Sequence, residues 1–259
     1  ALEHNIAALE GGTHGIAFSS GMAAISTITQ LFRSGDHVVS TANVYGGTYR
    51  FFNKIMLEFG LRSTWVDTSK LENIVQALTP QTKMIFIESP TNPMLVLSDI
   101  ARIADLCHDV SLLLAVDNTF LSPDFQRPRK LGADIVLHST TKYINGHSDV
   151  IGGILITNSD ELAERFRFLQ NAVGAVPSPF DCWLTLRATK TLALRMQTHG
   201  KNALQIARAL TEISGIDEVI YPGLPEHPQF ELAQKQQQTP YGEAGFGGIV
   251  SFIVKDFDT

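Results

Sequence analysis

Lys142 lies in Ser139-Thr-Thr-Lys142-Tyr-Ile-Asn-Gly146-His-Ser-Asp149, a short polar segment between two apolar runs at 132–137 and 152–156. Both runs read as buried strands, so the expectation is a partly desolvated ammonium, shifted toward nucleophilic amine chemistry of the Schiff-base kind. Asp117 ends the most apolar run of the chain, 112–116, and is either a structural cap or a site residue at a strand end. An acid held there can make a charged hydrogen bond to a protonated ring nitrogen. Tyr45 is followed by Gly46 and Gly47, where a ring can approach a flat molecule closely, although it also fits an ordinary loop aromatic. Ser19-Ser-Gly21-Met22 joins a strand-like run to a helix-like one, which places amides at a helix N-terminus suited to an anion. The dinucleotide and P-loop glycine patterns are absent.

Taken together, these four features suit pyridoxal phosphate (PLP). The phosphate takes the helix N-terminus, the aspartate holds the ring nitrogen, the tyrosine stacks and the lysine links to the cofactor. Other chemistries fit less well. Ser139-Thr-Thr-Lys142 satisfies the S-x-x-K of penicillin-binding acyl enzymes, but Ser148-Asp149 is followed by Val150 and Lys190-Thr191 by Leu192, so the companion motifs fail. Gly146-His-Ser-Asp-Val150 misses the nucleophile elbow at its fifth position. His138 and His147 lack a zinc spacing and read as packing and loop residues, and no metal is expected.

The elements that must position these residues follow from the alternation of short apolar runs with amphipathic ones. Strands are expected at 16–18, 37–40, 61–66, 84–87, 112–116 and 135–137, and helices at 2–9, 22–32, 48–59 and 97–108. Apolar strands without two-fold periodicity, interleaved with helices, indicate an α/β fold with a mostly parallel sheet between helices. From residue 160 the pattern turns helical. Ser178-Pro-Phe-Asp181 is a helix start, and the helix is expected to run to about 213 with a bend near Gly200. A strand at 217–221, a helix at 230–237 and a strand at 248–254 then read as the beginning of a smaller α/β C-terminal domain. The expected division is a large cofactor-binding domain at 1–193 and the second domain at 194–259.

Composition agrees with an ordered globular protein: of 259 residues, 44% are hydrophobic and 18% charged. A net charge of -6 argues against a nucleic-acid groove, and the longest basic cluster, Arg127-Pro-Arg-Lys130, reads as a solvated loop. Cys107 and Cys182 are too few for a disulfide scaffold, which favours a reducing compartment, and Cys107 completes an apolar helical stripe. No apolar run reaches the ~18 residues of a membrane span, and the expected location is cytoplasmic.

The segment Ser139–Asp149 resembles the lysine signature of the Cys/Met-metabolism PLP-dependent enzymes. Glu88-Ser-Pro-Thr-Asn-Pro93, Asp117-Asn-Thr-Phe120, Ser20-Gly-Met-Ala23 and Tyr45-Gly-Gly-Thr48 extend the resemblance over nearly the whole chain. The run from Phe168 to Asp181 and Tyr221-Pro-Gly-Leu-Pro-Glu-His-Pro228 are most similar to the cystathionine gamma-lyase branch. Gly47 stands where methionine gamma-lyases typically carry cysteine. Cystathionine gamma-synthase and the homoserine sulfhydrylases share nearly all the cofactor residues.

The resemblance implies a fold type I PLP-dependent transferase-like large domain. It implies an imine on Lys142, Asp117 at the ring nitrogen, stacking by Tyr45, and phosphate contacts from the Gly21 and Met22 amides with the Ser139 and Thr141 hydroxyls. Asn92 is placed near the ring oxygen and substrate carboxylate, and Arg50 and Glu88 as pocket neighbours. The implied substrate is an amino-acid thioether, and the implied assembly a homotetramer of dimers that share active sites. By the same resemblance, the family's N-terminal Tyr-x-Arg segment and its C-terminal carboxylate-binding arginine are expected to fall outside Ala1–Thr259, leaving a truncated assembly module as the non-enzymatic alternative.

Overall fold

In the computed structural model, which describes residues 1–255, the apolar runs pair into one seven-stranded sheet. Its strands are β1 (His14–Phe18), β2 (His37–Thr41), β3 (Arg62–Val66), β4 (Thr82–Glu88), β5 (Leu113–Asp117), β6 (Ile135–Ser139) and β7 (Gly153–Thr157). Their spatial order is β1-β7-β6-β5-β4-β2-β3. β7 runs antiparallel to both neighbours, and every other pairing is parallel. A two-stranded antiparallel sheet, β8 (Ile216–Ile220) with β9 (Ser251–Val254), stands apart from it.

The helices are α1 (Leu2–Glu10), α2 (Gly21–Thr29), α3 (Gly46–Arg50), α4 (Leu71–Ala77), α5 (Ile100–Asp109), α6 (Ser122–Phe125), α7 (Asp160–Val173), α8 (Pro179–Ala188), α9 (Leu192–Thr211) and α10 (Phe230–Gln236). They cover both faces of the large sheet, which explains why its strands are apolar on both sides. On one face, Ile6 of α1 and Ile100, Ile103 and Cys107 of α5 pack on Ile85, Val116 and Val136. On the other, Ile25 and Ile28 of α2 and Phe166 of α7 pack on Phe86, Ala115 and Leu137. Cys107 is therefore core, and burial pushes its thiol up to about 12. Among the described residues, no helix is long and apolar enough to cross a membrane.

Several boundaries differ from the periodicity, each for a local reason. α5 starts at Ile100 rather than 97: Asp99 caps it by accepting from the Arg102 amide, and the Gln229 side chain engages both N–H and C=O of Leu97. α2 ends at Thr29, after which the Leu31 and Phe32 amides turn back to the carbonyls of Ile28 and Thr29. The helix expected at 48–59 begins at Gly46 and widens into a π-helical turn, Phe51–Met56. The helix expected from 178 to 213 is interrupted by a 3₁₀ turn, Thr189–Thr191, but α9 runs unbroken through Gly200. Because α9 spans residues 193 and 194, the chain passes toward the second sheet along a continuous helix. The last strand covers only Ser251–Val254 of the expected 248–254. Arg127 is not in a solvated loop: it is half-buried and donates to the carbonyls of Gln238 and Thr239.

Candidate active site

The carboxyl ends of β4, β5 and β6 meet the N-terminus of α2, and a cavity of about 430 Å³ opens between them. That is the place where parallel α/β sheets bind ligands, and the volume is in the range of about 300–1,000 Å³ typical of small-molecule sites. Gly21, Met22, Tyr45, Glu88, Asn92, Asp117, Ser139, Thr141 and Lys142 all line it. Arg50 does not: it is exposed on α3, outside the cavity lining.

Asp117 and Glu88 are paired in register, so both carboxylates project from the same face of the sheet as Phe86 and Leu137, toward α2. Asp117 is 8% exposed and Glu88 4%. The Thr119 amide and hydroxyl both donate to Asp117 Oδ1, at 3.0 and 2.6 Å, which leaves Oδ2 to the cavity. Burial raises the Asp117 pKa, opposed by the two Thr119 hydrogen bonds and the nearby His138. Glu88 is pushed up to about 8, first by burial and then by the charge of Asp117, against a hydrogen bond from the Tyr45 amide to its Oε2 at 2.9 Å. Two buried carboxylates side by side resist double ionisation, which favours the protonated form of Glu88 beside Asp117.

α2 begins where Ser20, in extended backbone, caps the helix: Ser20 Oγ accepts from the Ala23 amide and its carbonyl from that of Ala24. The Gly21 and Met22 amides have no partner inside the helix and line the cavity. Gly21 lets α2 seat tightly on the end of β6: a Cβ there would lie 3.0 Å from Ser139 Cβ, close enough that Ser139 would have to give by a few tenths of an ångström. Ser139 is fixed in turn by its amide, which donates to Thr119 Oγ1 at 2.9 Å. The Thr141 hydroxyl is engaged with Gly152, accepting from its amide at 3.0 Å and donating to its carbonyl at 3.3 Å.

Lys142 corrects one expectation. It lies between β6 and β7 in sequence, yet its side chain is exposed, because the segment after β6 loops out over the cavity instead of crossing the core. Its amide donates to the Ser139 carbonyl and its carbonyl accepts from Gly146, which curls the loop back on itself. Tyr45 is 51% exposed, and a Cβ at Gly47 would lie 3.0 Å from its Cδ1, so the glycine permits the ring to fold against its own loop. Asn92 is half-buried at the cavity wall.

Sequence reasoning missed Thr119, Phe120 and Ile151 as cavity residues. The signal for Thr119 was present in Asp117-Asn-Thr119, the spacing at which an aspartate side chain captures donors two residues on. It also missed Glu10, a fully buried carboxylate that receives hydrogen bonds from His138 Nε2 at 2.5 Å and Asn118 Nδ2 at 2.8 Å on the opposite face of the sheet. His138 is thus a packing residue, and the described residues hold no cluster of three or more metal-ligating side chains.

The site fits PLP on its own geometry. It offers amides at a helix N-terminus for a phosphate, a buried carboxylate with one oxygen free for a ring nitrogen, and an amine on the opposite loop. The profile of the family described as Cys/Met metabolism PLP-dependent enzyme matches residues 1–259. A probable cystathionine gamma-synthase of Herpetosiphon aurantiacus is 51% identical over 255 residues, covering 98% of this chain and 78% of that protein. A cystathionine gamma-lyase of Dictyostelium discoideum is 50% identical over 255 residues, 98% of this chain and 64% of that protein. The crystal structure of cystathionine gamma-lyase from Lactobacillus plantarum complexed with L-serine superposes with a TM-score of 0.95 at 46% identity, covering 98% of this chain and 65% of that one. This chain therefore spans less than two thirds of the length of the lyases it matches, and it belongs to the Cys/Met-metabolism PLP-dependent enzyme family.

Proposed function

We propose that this chain carries the cofactor site of a PLP-dependent carbon-sulfur lyase. With one water consumed, the enzyme would cleave the gamma C–S bond of L-cystathionine to cysteine, 2-oxobutanoate and ammonia. The observation that carries the reading is the convergence of Asp117 Oδ2, the Gly21 and Met22 amides and Lys142 on one cavity.

When bound, the cofactor supplies an electron sink for carbanion chemistry at the substrate. The Gly21 and Met22 amides would hold its phosphate together with the Ser139 hydroxyl and, on turning from the Gly152 carbonyl, that of Thr141, and Asp117 would accept a charged hydrogen bond from the ring nitrogen. Lys142 Nζ would be the amine that holds the cofactor and would carry the alpha proton during turnover, for which an exposed amine on a loop is well placed. The Tyr45 hydroxyl delivers a proton to the departing sulfur, and Asn92 orients the substrate carboxylate. Glu88 holds the Tyr45 backbone amide and so sets where that ring stands. The proposal extends to a homotetramer in the cytoplasm.

A second reading within the family is cystathionine gamma-synthase, the printed name of the Herpetosiphon relative. Adding pyridoxal phosphate to the purified wild type should produce a protein-bound absorption band shifted from that of the free aldehyde and absent in Lys142→Ala; no shifted band in the wild type would overturn the cofactor assignment. Release of 2-oxobutanoate is then compared among cystathionine, homocysteine and methionine. Preference for cystathionine supports the lyase, whereas faster cystathionine synthesis from cysteine and an activated homoserine ester supports the synthase.

A further inference from the structure

We infer that Arg195, on the helix leading to the second sheet, is a positioning residue for Lys142, and this rests on the cofactor reading above. Arg195 sits in the first turns of α9. Its Nη1 donates to the Tyr143 carbonyl at 2.6 Å and its Nη2 to the Ile144 carbonyl at 3.3 Å, the two residues that follow Lys142. Nη2 also donates to the Ala188 carbonyl at 3.2 Å, at the C-terminus of α8, and Nε to Thr191 Oγ1 at 3.2 Å.

Among the described residues, no carboxylate lies within ion-pair distance of this guanidinium. Its charge is spent on backbone carbonyls, one of them at the negative end of a helix dipole. A planar fork of donors holds these carbonyls in a fixed geometry, whereas a lysine presents its three donors from a single rotatable point. The loop is built around that grip: a Cβ at Gly146, where φ is +70°, would lie 2.5 Å from Arg195 Cζ. The Lys142 carbonyl accepts from that same Gly146 at 2.7 Å. Arg195 thus clamps the backbone that immediately follows the exposed lysine onto α8 and α9. The side chain stands exposed while the backbone beside it is held.

The test compares wild type, Arg195→Ala and Arg195→Lys in two measurements. The first is the rate at which the absorption band shifts from that of free pyridoxal phosphate to the protein-bound position on mixing. The second is equilibrium binding of pyridoxamine phosphate, which fills the same pocket but has no aldehyde for Lys142. The expected result is an about tenfold slower band shift in Arg195→Ala, the size of one lost charge-assisted hydrogen bond. Arg195→Lys should be intermediate, and pyridoxamine phosphate affinity should be unchanged in both. An unchanged rate overturns the proposal. So does a parallel loss of both measurements in both variants, which makes Arg195 merely structural. If Arg195→Ala alone loses both, Arg195→Lys decides: a slow band shift with intact pyridoxamine phosphate binding supports the clamp. Absence of the shifted band in the wild type removes the cofactor reading itself, a distinct outcome.

Discussion

Glu88 and Asp117 stand side by side at the ends of β4 and β5, two buried carboxylates paired in register within one cavity wall. Burial together with the charge of Asp117 pushes Glu88 up to about 8. In the unfolded chain Glu88 loses its proton near the ordinary value of 4.5, whereas the folded protein keeps it to about 8. The unfolded state is therefore favoured progressively as pH rises through that window, and the loss levels off above it. Thermal unfolding between pH 4 and 9, on the order of one unit apart, should show wild type losing stability relative to Glu88→Gln across the window. The total should be on the order of a few kcal/mol. Parallel pH curves for the two proteins would refute the raised value.

The underside of the sheet carries another buried carboxylate, Glu10, whose Oε1 receives both His138 and Asn118. Removing it strands the buried His138, while the Asn118 amide keeps the Ser122 and Gln126 carbonyls, so Glu10→Ala should cost about 3–5 kcal/mol in urea unfolding. Because the pair acts as a unit, Glu10→Gln combined with His138→Gln should cost less than the sum of the two single changes. Additive costs would show that the two side chains are independent.

Gly153 explains how the phosphate end of the cavity is held. A Cβ there would lie 2.6 Å from the Ser20 carbonyl carbon and 2.8 Å from the Gly21 nitrogen, contacts with backbone that cannot swing aside. Gly153→Ala should displace the start of α2 and weaken pyridoxamine phosphate binding by about tenfold or more, the effect of one misplaced charged hydrogen bond. Gly174→Ala provides the contrast: its Cβ would meet nothing within 4 Å, and despite its φ of +78° it should leave that affinity unchanged. Equal affinity in Gly153→Ala and wild type would count against the amides of α2 as the anion site.

Local patterns in the sequence determined much of this protein. The alternation of apolar runs and amphipathic helices forecast a mostly parallel α/β sheet, because burial on both faces leaves strands apolar throughout. Asp117 was legible because a charge closing the most apolar run has to sit at the end of a strand, and Ser178 because a cap signature lies within four residues. What lay beyond local spacing was decided by tertiary structure. That Glu88 faces Asp117 depends on the register of two strands separated by α5, and strand register is set by packing between elements. Lys142 is exposed although its flanks are buried, since the chain between β6 and β7 loops outward over the cavity. Glu10 meets His138 from 128 positions away, and Arg195 reaches the Tyr143 carbonyl across 52. Those contacts form only when separate helices close on the sheet, so no window along the chain contains them.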